Sequence, residues 1–169
     1  MASERVVYRE RTPWAMWVYL VLWGAFIAGA LPLLWGETAL ALPAGLLVAA
    51  SVLLVAALVQ VLFGGTTVLV ETEAIRVHLG LVPVVSKRVR YEQIRALESV
   101  RYRPIKEFGG WGIRGFGQKQ AWTARGDQAV VLHLVNGRDL YIGSDHPRRL
   151  EDRIRMAAGD HLASSAHRG

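Results

Sequence analysis

The chain has 169 residues, 52% of them hydrophobic, with a formal net charge of +6 and a mean hydropathy of +0.25. A chain of this length supports one ordinary domain, but soluble domains rarely average on the apolar side, so part of this one is built for lipid. It has no cysteine, which excludes thiol catalysis, disulfides and a cysteine-based zinc site.

Residues 1–13 read as a basic arm carrying Arg5, Arg9 and Arg11. An uncharged run follows over 14–35, WAMWVYLVLWGAFIAGALPLLW, which as a helix covers about 33 Å, enough for a bilayer core. A second uncharged run, 39–63, has only Ser51 and Gln60 as strongly polar side chains. Gly36, Glu37 and Thr38 leave room only for a tight connection, so 14–64 is expected to be a two-helix transmembrane hairpin with both ends on one side. A cleaved signal peptide fits less well, because its apolar region is shorter and no second span follows.

Basic residues precede the first run, the connection carries only Glu37, and the segment from Gly65 onward holds the whole positive excess. That bias puts both termini in the cytoplasm, with Trp14, Trp17 and Tyr19 near the inner headgroups and Trp35 near the outer ones. Ala25 and Gly29, and then Ala41, Gly45 and Ala49, recur at spacing four and are expected to pack within the hairpin. Pro32 and Pro43 lie toward the outer connection. Neither run holds an ionisable group, so no transport path is expected.

After Gly64 the pattern becomes short and alternating. TTVLVE (66–71), AIRVHLG (74–80) and VSKRVRY (85–91) read as strands, as do 94–103, 111–114 and 119–123. In AVVLHLVNGRDLYIG (129–143) two such runs flank Asn136-Gly137, a type I′ hairpin turn. Ser144 or Asp145 can cap a helix that opens with Pro147, presents Leu150, Ile154, Ala157 and Ala158 on one face and stops at Gly159. Residues 160–169 read as a loose tail. The expectation is an α+β domain over 65–159, with six or seven antiparallel strands and one covering helix.

Two spans followed by such a domain, with FGGWGIRG, AVVLHLVNGRDLYIGSDHP and then RRLEDRI, resemble the bacterial pleckstrin-homology-like (PH-like) membrane proteins. The resemblance covers nearly the whole chain. It implies a strongly bent antiparallel PH-like sheet or barrel, capped by the C-terminal helix and carried on a multi-pass hairpin in the bacterial inner membrane. It transfers no catalytic residue. Members of the wider fold that bind phosphoinositides use basic residues around the first hairpin turn, where this chain has Glu71, Thr72 and Glu73.

Gly110, Gly112 and Gly115 match G-x-G-x-x-G, but a nucleotide fingerprint needs a strand before it and a helix after it. Here a strand follows, so the glycines are expected to serve a bend, a bulge or a close backbone approach, with Trp111 and Ile113 packing inward. Alternatively, Phe108, Trp111 and Phe116 dip into the headgroup layer, with Arg114 meeting lipid phosphate.

The five histidines are scattered, with His78 and His133 expected to face outward on strands, and no acid pair or nucleophile set has supporting context. No catalytic, cofactor or metal site is expected, and no small-molecule substrate. Lys87, Arg88, Arg90, Arg101, Arg103 and Lys106 form a basic cluster, to which Trp111 and Arg114 add a candidate contact for lipid or a partner. Nothing resembling a nucleic-acid-binding motif accompanies it. The expected function is a non-enzymatic docking or scaffolding module for a membrane-associated protein or a second copy, or else a sensor of anionic lipid surfaces.

Overall fold

The computed structural model describes residues 5–34, 42–115, 117–159 and 162. The expected 36–38 connection, Trp35, Ala41, Phe116 and most of the 160–169 tail lie outside them.

The first element is a strand, β1 (Val6–Pro13), where the sequence reads as a basic arm. β1 pairs antiparallel with β2 (Gly65–Glu71), with Pro13 opposite Gly65, so the two apolar helices are inserted between paired strands. Its period-two signal is hidden because both faces are polar. Tyr8, Glu10 and Thr12 turn inward while Arg9 and Arg11 stay exposed, and Glu10 accepts a hydrogen bond from Ser144.

Between β1 and β2 run α1 (Met16–Leu34), with Pro32 in its last turns, and α2 (Leu42–Phe63). Tyr19 donates its hydroxyl to the Gly64 carbonyl at 3.0 Å and Trp23 donates its indole N–H to Gln60 at 2.8 Å. Partners that rise along α1 fall along α2, so the helices are antiparallel. Gly45, Ala49 and Ala56 are buried on α2 and Ala30 on α1. Ala25 and Gly29 are instead exposed, with open space at the Gly29 α-carbon, because Tyr19 and Trp23 set the facing side of α1. Of the two expected crossings, α2 from Pro43 to Phe63 has the length and composition for one; the apolar stretch of α1, Met16–Pro32, is shorter.

β3 (Ala74–Leu79) and β4 (Ser86–Arg90) complete a sheet of order β1-β2-β3-β4. β5 (Ile94–Arg101), α3 (Pro104–Phe108), β6 (Gly112–Arg114), β7 (Lys119–Thr123), β8 (Gln128–Leu134) and β9 (Asp139–Gly143) follow. They form a second sheet of order β5-β8-β9-β7-β6. It is mixed rather than antiparallel, because β7 runs parallel to β9, with Trp122 opposite Ile142. The strands hydrogen-bond as two sheets and do not close into one barrel. α4 (Pro147–Ala158) ends the domain.

The main core lies between the sheets, where Val68, Ile75, Val89, Ile94, Trp122, Leu132 and Ile142 meet Leu150 and Ile154 of α4. Each fully buried aliphatic side chain there contributes about 1.5–3 kcal/mol of transfer free energy. A second cluster lies on the outer side of the second sheet. Tyr102, Ala121, Ala129, Val131 and Tyr141 are buried there with Phe108 packed against them. β8 is therefore buried on both faces through Ala129–Leu132, and its apolar run is continuous where a one-sided strand would alternate.

Candidate functional site

The basic residues that are neighbours in sequence separate into two groups. Lys87, Arg88 and Arg90 lie on β4, the edge of the first sheet. Lys87 shares a row with the core residue Val77, so its ammonium turns inward and donates to Gln120 of β7. Burial, with Arg138 nearby, holds its pKa below the usual lysine range. Arg88 lies opposite Arg76, and the two flank Glu71, at 3.8 and 3.2 Å. The Glu71 side chain is only 5% exposed, whereas the arginine side chains it draws in stay about a third exposed, 34% for Arg76 and 36% for Arg88. The Glu71 carbonyl also accepts the Tyr91 hydroxyl at 2.6 Å; burial and Glu71 push the Tyr91 pKa up to about 12. Arg90 is exposed.

The second group gathers at one end of the second sheet. Arg101 ends β5 and pairs with Asp127 at 3.3 Å. Arg103 precedes α3, and its backbone N–H donates to Glu107 at 2.7 Å. Pro104 fixes the first turn of α3, and Gly109 ends it with φ 72. Trp111 donates its indole N–H to the Gly126 carbonyl at 2.8 Å, and the Arg114 Nε donates to the Trp111 carbonyl at 3.1 Å. Between α3 and the β7–β8 turn these residues border an open, shallow cleft of about 390 Å³, lined by Tyr102, Arg103, Pro104, Ile105, Lys106, Trp111, Gly126 and Asp127. Ile105 is 68% exposed at its mouth.

The cleft is carried on an aromatic triangle. The rings of Tyr102, Phe108 and Tyr141 stand 5.0–5.9 Å apart, tilted or edge to face, and Ala121 and Ala129 beneath them leave the room. Phe108 therefore packs inward against Tyr102 and Tyr141; Trp111 is half-buried as a cleft wall, while Ile113 packs against the main core.

The neighbouring β7–β8 turn also carries Arg125, which binds Asp145 with two hydrogen bonds of 3.2 and 2.6 Å. Those bonds raise the Arg125 pKa, and the Tyr19 phenol of α1 adds to the shift.

The sequence does not mark Pro104, Ile105, Gly126, Asp127 or α3 itself. Proline at its first position and glycine just after it are the only signals, and five residues are too few for a helical period.

At the G-x-G-x-x-G spacing, Gly115 has φ +78 and would place a Cβ 2.2 Å from the Lys119 carbonyl oxygen. β6 lies within this spacing and β7 follows it, so the close approach belongs to the connection between two strands. His78 is buried, not outward-facing, with Nδ1 3.1 Å from the Leu79 carbonyl. His133 is half-buried between Asp139 at 2.7 Å and Glu98 at 3.3 Å. Among the described residues no group of three or more His, Cys, Asp or Glu side chains could hold a metal ion. No family model matches the chain, and no curated protein or solved structure matches it either.

Proposed function

We propose that the chain is a non-enzymatic integral protein of a bacterial inner membrane. Its α1–α2 hairpin crosses twice, and its α+β domain lies on the cytoplasmic headgroup layer, contacting anionic lipid through the α3 cleft. The pairing of β1 with β2 carries this reading. Pro13 stands opposite Gly65, so the chain leaves the sheet into α1 and returns from α2 at one place. A single crossing by α2 would put these paired neighbours on opposite sides of the bilayer, whereas two crossings keep them together. The 19 residues of α1 cover about 28 Å, close to the hydrocarbon thickness. The basic excess on the strand-bearing side supports a cytoplasmic domain.

The cleft supports lipid contact because it combines an exposed aliphatic group, Ile105, an indole, Trp111, and cations, Arg103 and Lys106, the chemistry favoured at a headgroup boundary. Arg103 and Lys106 form no ion pair among the described residues. Protein docking is the second reading, favoured by Asp127 and the Gly126 carbonyl on the cleft wall. They would accept hydrogen bonds from a polypeptide and repel phosphate.

The full chain in nanodiscs of phosphatidylcholine, with or without phosphatidylglycerol, separates the two. Lipid contact predicts slower backbone hydrogen exchange over residues 101–114 when phosphatidylglycerol is present, reversed by salt. It predicts loss of the effect when Arg101, Arg103 and Lys106 become Gln. Arg101 is already paired with Asp127, so at about 1 kcal/mol for each of the two other cations the triple change weakens contact by about 30-fold. Exchange indifferent to lipid charge would reject lipid contact and leave docking.

A further inference from the structure

The turn between β3 and β4, Leu81-Val82-Pro83-Val84-Val85, contains no polar side chain. Hairpin tips facing water ordinarily carry Gly, Asn, Asp or Ser, whose side chains or freedom serve the turn. Here Leu81, Val82, Val84 and Val85 are between 36% and 64% exposed, an outlay of apolar surface that water does not favour.

The position of this turn names what covers it. The Leu81 N–H donates to the Val61 carbonyl of α2 at 2.8 Å, satisfying one of the carbonyls that a helix end leaves open. Gly80, at φ +66, lies so close that a Cβ would stand 2.2 Å from the Leu62 oxygen. The loop is thus fastened beside the last turn of α2, level with side chains inside the apolar span. Its surface continues into exposed Leu58, Val61 and Phe63.

We propose that Leu81–Val85 is a membrane-inserted loop whose ligand is the glycerol and upper acyl layer of the bilayer around the inner end of α2. This rests on reading α2 as a crossing. The inserted loop is a support separate from the α3 cleft, and it fixes how the domain is rolled about the hairpin. Its recognition is apolar and indifferent to headgroup, unlike that of the cleft.

The native chain lacks cysteine, so single labels are clean. Val82→Cys, Val84→Cys, Leu54→Cys and Asn136→Cys are made in the full chain and labelled with an environment-sensitive fluorophore. Each is reconstituted in phosphatidylcholine and phosphatidylglycerol vesicles with bromine on the acyl chains, and is also titrated with aqueous iodide. Leu54, exposed in mid-α2, reports the crossing; Asn136, in the β8–β9 turn, reports water.

The expected result is blue-shifted emission and loss of intensity to bromolipid at Leu54, Val82 and Val84, with iodide quenching only Asn136. Bromolipid quenching at Leu54 with iodide quenching at Val82 and Val84 overturns the loop insertion and leaves the crossing intact. Val82 and Val84 shielded from both quenchers also overturn it, because protein, such as a second copy, then covers the loop. Absence of lipid quenching at Leu54 removes the crossing, and the insertion with it.

Discussion

Changing Gly80 to alanine tests the joint between the domain and α2. The backbone there has φ +66, which costs an alanine about 1–2 kcal/mol. The added Cβ would also stand 2.2 Å from the Leu62 oxygen and 2.4 Å from the Val61 oxygen, both backbone atoms of a helix that cannot yield. The loop must lift. It then loses the Leu81 bond to Val61, and strains those of the Gly80 N–H to Gly65 and of Thr67 to the Gly80 carbonyl. At about 1 kcal/mol each, the whole cost is about 3–5 kcal/mol. Gly126→Ala is the control, since it has φ +76 but no atom within 4 Å of the new Cβ, and so carries only the backbone strain of about 1–2 kcal/mol. At about 4 °C per kcal/mol, the midpoint of the full chain in nanodiscs falls by about 12–20 °C for Gly80→Ala. The control falls by about 4–8 °C. Equal shifts for the two variants would refute the steric argument, and with it the fastening of the loop to α2.

Gly115→Ala should lower the midpoint by about 3 kcal/mol equivalents through overlap with the Lys119 carbonyl, while nucleotides leave the wild-type midpoint unmoved; a saturable rise would revive phosphate binding. Phe108→Ala removes one side of the aromatic triangle and should cost about 2 kcal/mol in chemical denaturation, less than a fully buried ring. A cost near zero would mean that α3 is not held by that ring. Glu151 has its pKa lowered from 4.5: burial alone would raise it, but hydrogen bonds from Ser99 and Arg155 and the Arg155 charge outweigh that. Its stabilising contribution is therefore complete above the unfolded value and lost as pH falls through the lower folded value. Glu151→Gln should melt earlier than wild type at neutral pH and converge with it in acid, and a constant gap would contradict this. For topology, Thr38→Cys should be labelled by an impermeant thiol reagent outside intact cells and Asn136→Cys should not; labelling of Asn136→Cys would reverse the orientation.

The legible parts were those where one physical signal dominates. Asn136-Gly137 between two apolar runs predicts the β8–β9 hairpin, and the structure has a hairpin there, but not the expected type I′ turn: Gly137 has φ 77 while Asn136 does not take positive φ, and the Gly137 N–H donates to the Leu134 carbonyl at 3.0 Å. Leu150 and Ile154 predict the buried face of α4. Where two demands overlap, the signal cancels. β1 has charge on both faces because Glu10 is needed inside for Ser144 and Arg9 and Arg11 lie outside. β7 beside β9 is a parallel neighbour reached only after β8 has been laid down, and no local pattern encodes that order. For the site, sequence proximity grouped Lys87 and Arg88 with Arg101 and Arg103. The fold assigns the first pair to internal partners, Gln120 and Glu71, and the second to the cleft end. Which cations are left for a ligand depends on distant acids and amides, and spacing along the chain does not show them.

The insertion of both helices between β1 and β2 imposes an order on synthesis. On the proposed reading of two crossings, β1 leaves the ribosome before the helices and waits, without β2, its one neighbour among the described strands, while the helical hairpin is made and threaded into lipid. An unpaired strand in that interval is a template for aggregation, and charged side chains along it are a common protection. Arg5, Arg9, Glu10 and Arg11 supply that protection at the cost of a conventional amphipathic strand. On the same reading the start of the sheet is tied to membrane insertion, because β2, the strand that pairs with β1, is translated directly behind the last turn of α2. A chain stalled before Gly65 therefore has an anchor but no first sheet, and quality control could recognise it by the bare edge of β1.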